Sequence, residues 1–164
     1  MSDLVARGPA GLAERWRAAW LAATPEAFGD CCRVDVLYED PLTGEPLEGL
    51  AAQAEHARSL RDGFPDMRVE DSGPAIVDGA HACLPWRFVG TNKGDVGVLP
   101  ASDRFLTLHG LHYVELRDGD VCRARGFFDL YDVAVQLALL PKRGSFGESA
   151  LMLLRGFGLL RPRA

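Results

Sequence analysis

From residue 9 to 23 the apolar residues Leu12, Trp16, Ala19, Trp20 and Ala23 recur at helical spacing, with Glu14, Arg15 and Arg17 on the flanks; this predicts an amphipathic helix laid on a core. Thr24-Pro25-Glu26 supplies a cap and a proline at the first position, so a second, shorter helix runs through Phe28. The period then changes. Residues 33–40 alternate, with Val34, Val36 and Tyr38 on one face and Arg33, Asp35 and Glu39 on the other, as in a half-buried strand. Residues 41–48 read as a loop. Over 49–62 Leu50, Ala54, Ala57 and Leu60 return to helical spacing, and Phe64-Pro65-Asp66 ends that helix. Strand patterns follow at 67–70, 75–77 and 82–90, with Asp78-Gly79 as a tight turn.

The most informative stretch is 105–136, a long hairpin that ends in an acid and then a short helix. Asp118-Gly119 between two alternating runs is a strong hairpin signal, since both residues tolerate positive φ. With these two as the loop, Leu116 faces Val121, His112 faces Arg125, Gly110 faces Phe127 and Leu108 faces Asp129. One face then carries Leu106, Leu108, Gly110, His112, Val114 and Leu116 from the first strand, and Val121, Arg123, Arg125, Phe127 and Asp129 from the second. A bulge at Gly110 or Gly126 would send every later side chain to the opposite face, and one at Gly110 would exchange the roles of His112 and His109. Helices first and strands afterwards give an α+β chain, a curved antiparallel sheet with helices against one face.

Composition narrows the class. The 164 residues suffice for one domain with its own core. A formal charge of -5 disfavours nucleic acid and anionic membrane as partners. Cys31, Cys32, Cys83 and Cys122 show no CxxC or metal-ligand spacing, so reduced thiols are expected. The N-terminus is interrupted by Asp3, Arg7, Glu14, Arg15 and Arg17 and lacks the apolar core of a signal peptide; no run approaches membrane-spanning length. A cytoplasmic location is the expectation.

Several short motifs, in order, carry a family resemblance: Tyr38-Glu39-Asp40-Pro41, Phe64-Pro65-Asp66, Trp86-Arg87-Phe88 with Gly90-Thr91 and Gly94, Asp118-Gly119, and Phe127-Phe128-Asp129 followed by Gln136-Leu137. Over residues 12–140 the chain resembles the SnoaL-like polyketide cyclases of the NTF2-like superfamily. Asn92 stands where many relatives have a histidine, and Ala101-Ser102-Asp103-Arg104 replaces the common Thr-Gly-Arg. The resemblance implies a cone-shaped α+β barrel around a deep apolar pocket and a homodimer formed through the sheet. It also implies ring closure by intramolecular aldol condensation on a hydrophobic small-molecule substrate, with neither metal nor organic cofactor, and an acid/base aspartate that matches Asp129. Domain boundaries follow at 1–140, with a helical extension over 141–164.

Chemistry points the same way. An aldol closure needs a base for a proton flanked by carbonyls, a donor for the resulting enolate, and an acid for the new alkoxide, and one carboxyl group can make both proton transfers. Asp129 is the candidate, because a carboxylate on an apolar face would have a raised pKa. The competing reading makes it a cap for a helix over 130–140. His112 sits among leucines on the same face and is a candidate substrate contact, with His109 in reserve. Tyr38 brings a phenol toward the pocket. Trp16, Trp20, Trp86, Phe88, Phe127 and Phe128 suit a planar ligand, and about two of the six are expected to face the cavity. The named substrate-binding set is thus His112, Tyr38, Trp86, Phe127, His109 and Trp16. Asp40 and Asp132 are reserve acids, Asp40 reading first as a turn residue; His56 and His81 read as flank positions. An alternative activity is double-bond isomerisation of a ketone, and an alternative to catalysis is binding of hydrophobic metabolites. In the tail, Ser145 and Glu148 suggest a capping box before an apolar run over 150–160, expected to pack within the protein or its dimer.

Overall fold

The computed structural model describes residues 9–156. Helix α1 (Pro9–Ala22) leads through a short α2 (Pro25–Gly29) into β1 (Cys32–Glu39), and β2 (Leu47–Glu48) precedes helix α3 (Gly49–Gly63). Strands β3 (Arg68–Asp71), β4 (Ile76–Asp78), β5 (His81–Thr91), β6 (Phe105–Arg117) and β7 (Asp120–Phe128) follow, then α4 (Leu130–Gln136) and α5 (Phe146–Gly156). The expected α+β arrangement is what forms. The sheet is seven-stranded and curved but does not close; its order is β2-β1-β7-β6-β5-β3, with β4 pairing β5. The β1–β7 pair is parallel, so the sheet is mixed rather than wholly antiparallel.

Local chemistry sets the boundaries. Thr24 Oγ1 accepts from the Ala27 N–H at 3.2 Å and starts α2 behind Pro25. Asp118 and Gly119 take φ of 56° and 88°, the two left-handed positions that a two-residue hairpin turn demands. Beyond Leu116 and Val121 the register shifts. Glu115 pairs with Arg123, not Cys122, so Cys122 is the extra residue of a bulge. From there His112 pairs with Gly126 and Gly110 with Phe128. A second irregularity, between Cys32 and Leu37 on β1, turns Val34 outward while leaving Val36 and Tyr38 in the core.

The glycines flagged as bulge candidates have another use. Gly110 lies between Trp86 on β5 and Phe128 on β7, and the two aromatic rings meet across it with centroids 6.1 Å apart. A Cβ on Gly110 would sit 2.3 Å from the Trp86 ring and 2.6 Å from the Phe127 carbonyl oxygen. Gly126 lies beside His112, where a Cβ would come within 2.8 Å of the Tyr38 hydroxyl and 2.9 Å of the Asp40 side chain.

At the end of the described chain, Ser145 Oγ accepts from the Glu148 N–H at 3.2 Å, the cap expected for α5, while the Glu148 carboxylate accepts from the Gly144 N–H and from the Tyr131 hydroxyl. Phe146, Met152, Leu153 and Leu154 are exposed, so among the described residues nothing covers the apolar side of α5.

Gly110→Ala is expected to destabilise by about 1–3 kcal/mol through overpacking. Gly44→Ala, whose Cβ meets nothing within 4 Å, should change stability by less than about 0.5 kcal/mol. Urea unfolding of the two variants checks the contrast, and equal midpoints would refute it.

Candidate active site

Helices α1, α3 and α4 and strands β1, β3, β5, β6 and β7 all contribute side chains to a pocket partly open to solvent, whose roughly 920 Å³ of atom-free space includes solvent at the opening. Its walls come from both core clusters, one built on Trp16, Trp20 and Tyr38, the other on Phe64, Phe88 and Leu108. Its lining is almost entirely apolar. The exceptions are Tyr38, Asp40 and His112, which converge, and the pair Arg17 and Asp71.

Strand periodicity explains the convergence: Tyr38 and Asp40 are two residues apart, so both point inward from the end of β1. Asp40, with a side chain only 3% exposed, is bonded through both oxygens. Oδ1 accepts from the Leu42 N–H at 2.7 Å and the Thr43 N–H at 3.1 Å. Oδ2 accepts from the Tyr38 hydroxyl at 2.9 Å and from His56 Nε2 at 2.8 Å, His56 reaching across from α3. On the other side of Tyr38, His112 Nε2 lies 3.4 Å from the hydroxyl oxygen, and His112 Nδ1 accepts from the Trp16 indole N–H at 3.1 Å. That last bond places the imidazole proton on Nε2.

The chain's three tryptophans all pack on this one imidazole. Trp16 meets it edge-on at 5.3 Å, Trp20 stacks at 5.5 Å and 15°, and Trp86 tilts over it at 5.5 Å. Burial pushes the His112 pKa down to about 3, more than the nearby Asp40 charge offsets, so the ring is neutral. Burial first, then the charge and hydrogen bond of Asp40, push the Tyr38 phenol well above its ordinary value. For Asp40 burial works upward, but the hydrogen bond and charge of His56, the Leu42 amide and the Tyr38 hydroxyl outweigh it and hold the carboxyl below its usual range. The cluster therefore combines an ionised carboxylate, a neutral phenol and a neutral imidazole with its N–H facing the phenol.

Among the residues expected at the site, His112, Tyr38, Trp86 and Trp16 line the pocket, as do Trp20, Phe88 and Phe128, more aromatic side chains than expected. Three placements need correction. The Cys122 bulge inverts every side chain after it on β7, so Phe127 is 51% exposed on the outer face and Phe128 takes its place inside. His109 is exposed on the outer face of β6, because the bulge lies on β7 and leaves β6 in its regular alternation. Asp129 is 51% exposed at its side chain. Its Oδ1 accepts from the Asp132 N–H at 3.0 Å, capping α4, and its Oδ2 accepts from Arg143 Nη2 at 2.6 Å. The Asp132 amide and the Arg143 guanidinium hold its carboxyl below the usual range, against the raised value expected of a buried acid. Arg125 also faces outward, bound with Arg123 to Glu39. Among the described residues no group of three or more His, Cys, Asp or Glu side chains could hold a metal ion, and no helix is long and apolar enough to cross a membrane.

A curved open sheet wrapped on helices with its polar cluster at the inner face is the ketosteroid isomerase-like NTF2 fold, and solved structures agree. A Jannaschia sp. CCS1 protein described as a SnoaL-like polyketide cyclase superposes with a TM-score of 0.70 at 19% identity, over 81% of this chain and 93% of that one. TsrD from Streptomyces laurentii gives 0.69 at 22% identity, over 79% and 94%. A Catenulispora acidiphila protein with a ketosteroid isomerase-like fold gives 0.65 at 18% identity, over 77% and 92%. At such identities the likeness carries the fold alone. The family comes from the sequence: the model of the SnoaL-like polyketide cyclases matches residues 10–137, and the chain belongs to that family. No curated protein matches it.

The buried neutral imidazole predicts a pH signature. An unfolded chain binds the His112 proton near 6.5, whereas the folded protein binds it only near 3, so stability is lost as pH falls below 6.5. Between pH 6.5 and 4.5, above the range of the lowered carboxylates, the wild type should lose about 2–3 kcal/mol more than His112→Gln. Chemical denaturation across that interval tests it; parallel curves would show that His112 is not the group responsible.

Proposed function

We propose that the protein is a cofactor-independent acid/base enzyme that closes a ring in an apolar, carbonyl-bearing small molecule by intramolecular aldol addition, with Asp40 rather than Asp129 moving the proton. The observation that carries this is the fully hydrogen-bonded Asp40 carboxylate at the polar end of an otherwise apolar pocket, in contact with Tyr38 and next to a neutral His112.

Asp40 removes a proton from the carbon between two carbonyl groups, and the electron pair of that C–H bond becomes the enolate. A carboxylate held below its usual range is a weak base, so the proton it takes must be an acidic one, as a proton between two carbonyls is. Protonation has a second effect. In the resting site the Tyr38 O–H is spent on Asp40; once Asp40 carries a proton it no longer holds that hydroxyl as an ion, and the phenol is free to donate to the enolate oxygen. The His112 Nε2–H stands beside it as a second donor, and its weak 3.4 Å contact with the phenol oxygen is readily exchanged for a ligand oxygen. The enolate carbon attacks the second carbonyl of the same molecule, a C–C bond forms, and the alkoxide recovers the proton from Asp40. Reactant and product have the same composition.

The same parts fit double-bond isomerisation of a ketone, in which one carboxylate carries a proton from one carbon to another while the donors hold the dienolate. Both reactions use Asp40 in the same way.

Wild type, Asp40→Asn and Asp129→Asn, incubated in deuterated buffer with linear and partly cyclised polyketide esters and cyclic enones, should separate by mass spectrometry. Wild type and Asp129→Asn are expected to give product of unchanged composition with deuterium at the acidic carbon, and Asp40→Asn to lose about 10²–10⁴ in rate. Turnover by Asp40→Asn equal to wild type would remove the role from Asp40. Equal binding by all three with turnover by none would favour the binding-protein reading.

A further inference from the structure

Apart from the Tyr38, Asp40 and His112 cluster, the polar side chains along the pocket wall are Arg17 on α1 and Asp71 on the edge strand β3. They form an ion pair, Arg17 Nη1 to Asp71 Oδ2 at 2.5 Å, with side chains 32% and 47% exposed. This partial exposure puts the pair at the solvent side of the pocket, whereas Asp40 is at its buried side. Arg17 follows Trp16 directly, so one turn of α1 holds His112 with one residue and presents a guanidinium to the opening with the next.

We propose that Arg17 selects and orients a substrate bearing a carboxylate, its apolar body in the pocket, its reacting carbonyls toward Asp40 and its acid group at the mouth. This rests on reading the pocket as a substrate site. The stoichiometry of the ion pair leaves room for it: among the described residues Arg17 makes one side-chain hydrogen bond, from Nη1, while a guanidinium carries five N–H donors in a planar fork. Asp71 engages it at a single point. A ligand carboxylate able to present both oxygens to the fork exchanges one single-point contact for a bidentate one, the geometry in which arginine binds carboxylates best. Electrostatics fix the direction. An ionised Asp40 at the far end has no cation on the pocket wall beside it to offer an acid group, whereas at the near end the guanidinium, once its fork exchanges Asp71 for the ligand, attracts one, so an acidic ligand enters in one orientation. An ester or amide of the same shape has no such preference.

Non-reacting probes test this without any turnover, so its failure is distinct from a failure of the catalytic assignment. Calorimetric titration compares 2-naphthoate with methyl 2-naphthoate on wild type, Arg17→Gln and Asp71→Asn. Wild type is expected to bind the acid at least about tenfold more tightly than the ester. Arg17→Gln should abolish that preference while leaving the ester unchanged, and Asp71→Asn, by removing the competing carboxylate, should enlarge it. Equal binding of acid and ester by wild type, or a preference that survives Arg17→Gln, would overturn the proposal. So would an acid preference weakened by Asp71→Asn, because the two substitutions would then act in the same direction, as damage to a structural ion pair would.

Discussion

A carboxylate almost wholly removed from water can stay ionised only if donors meet both of its oxygens, and the site is arranged around that requirement at Asp40. The donors come from three places in the chain: two amides of the loop after β1, the phenol of β1 itself and the imidazole of α3. Breaking such an arrangement strands a buried charge, at a cost typically of about 3–5 kcal/mol. The loop after β1, the helix that carries His56 and the strand end are thereby held in mutual register by one side chain. Tyr38 extends the arrangement to His112, and the Trp16 indole extends it to α1. The polar interactions and the three-indole wall are thus one connected assembly, with its one ionised carboxylate at an end and a neutral imidazole kept neutral by apolar contact.

Much of the fold was legible in the sequence because its signals are local. Helical spacing at Leu12, Trp16, Ala19 and Trp20, the Thr24-Pro25 start and the Asp118-Gly119 turn each depend on a few neighbouring residues, and each appears where expected. The parallel pairing of β1 with β7 is a tertiary fact and left no local trace. Side-chain direction on β7 failed for a definite reason. A one-residue bulge inverts a strand's two faces, and the extra residue is Cys122, which is neither a glycine nor a turn former and so does not announce itself. A regular register points Asp129 and Phe127 inward and Phe128 outward, the reverse of where the bulge places them.

The candidate acid was nonetheless within reach. Tyr38 lies on the inner face of β1 and the two-residue period of a strand places Asp40 on that same side, while Asp40 also begins the turn that Asp-Pro predicts, its Oδ1 accepting from the Leu42 and Thr43 amides. His56 was less accessible. It sits beside the inner stripe of α3 rather than on it, and only the arrival of Asp40 from a different element gives it a partner. A residue whose role depends on a contact sixteen positions away in sequence, across a loop, carries no periodic signature.

Gly110 and Gly126 stand next to the aromatic and polar groups that they accommodate, Gly110 between its partners Trp86 and Phe128 and Gly126 opposite His112. They contribute no atom to chemistry. What they supply is absence: without them the Trp86 and Phe128 rings could not close over one strand, nor Tyr38 and Asp40 lean toward His112 over the next. The interior of this pocket is therefore a cast taken from two missing side chains, and its shape can be redrawn by a single methyl group at a position that any inventory of reactive residues would pass over.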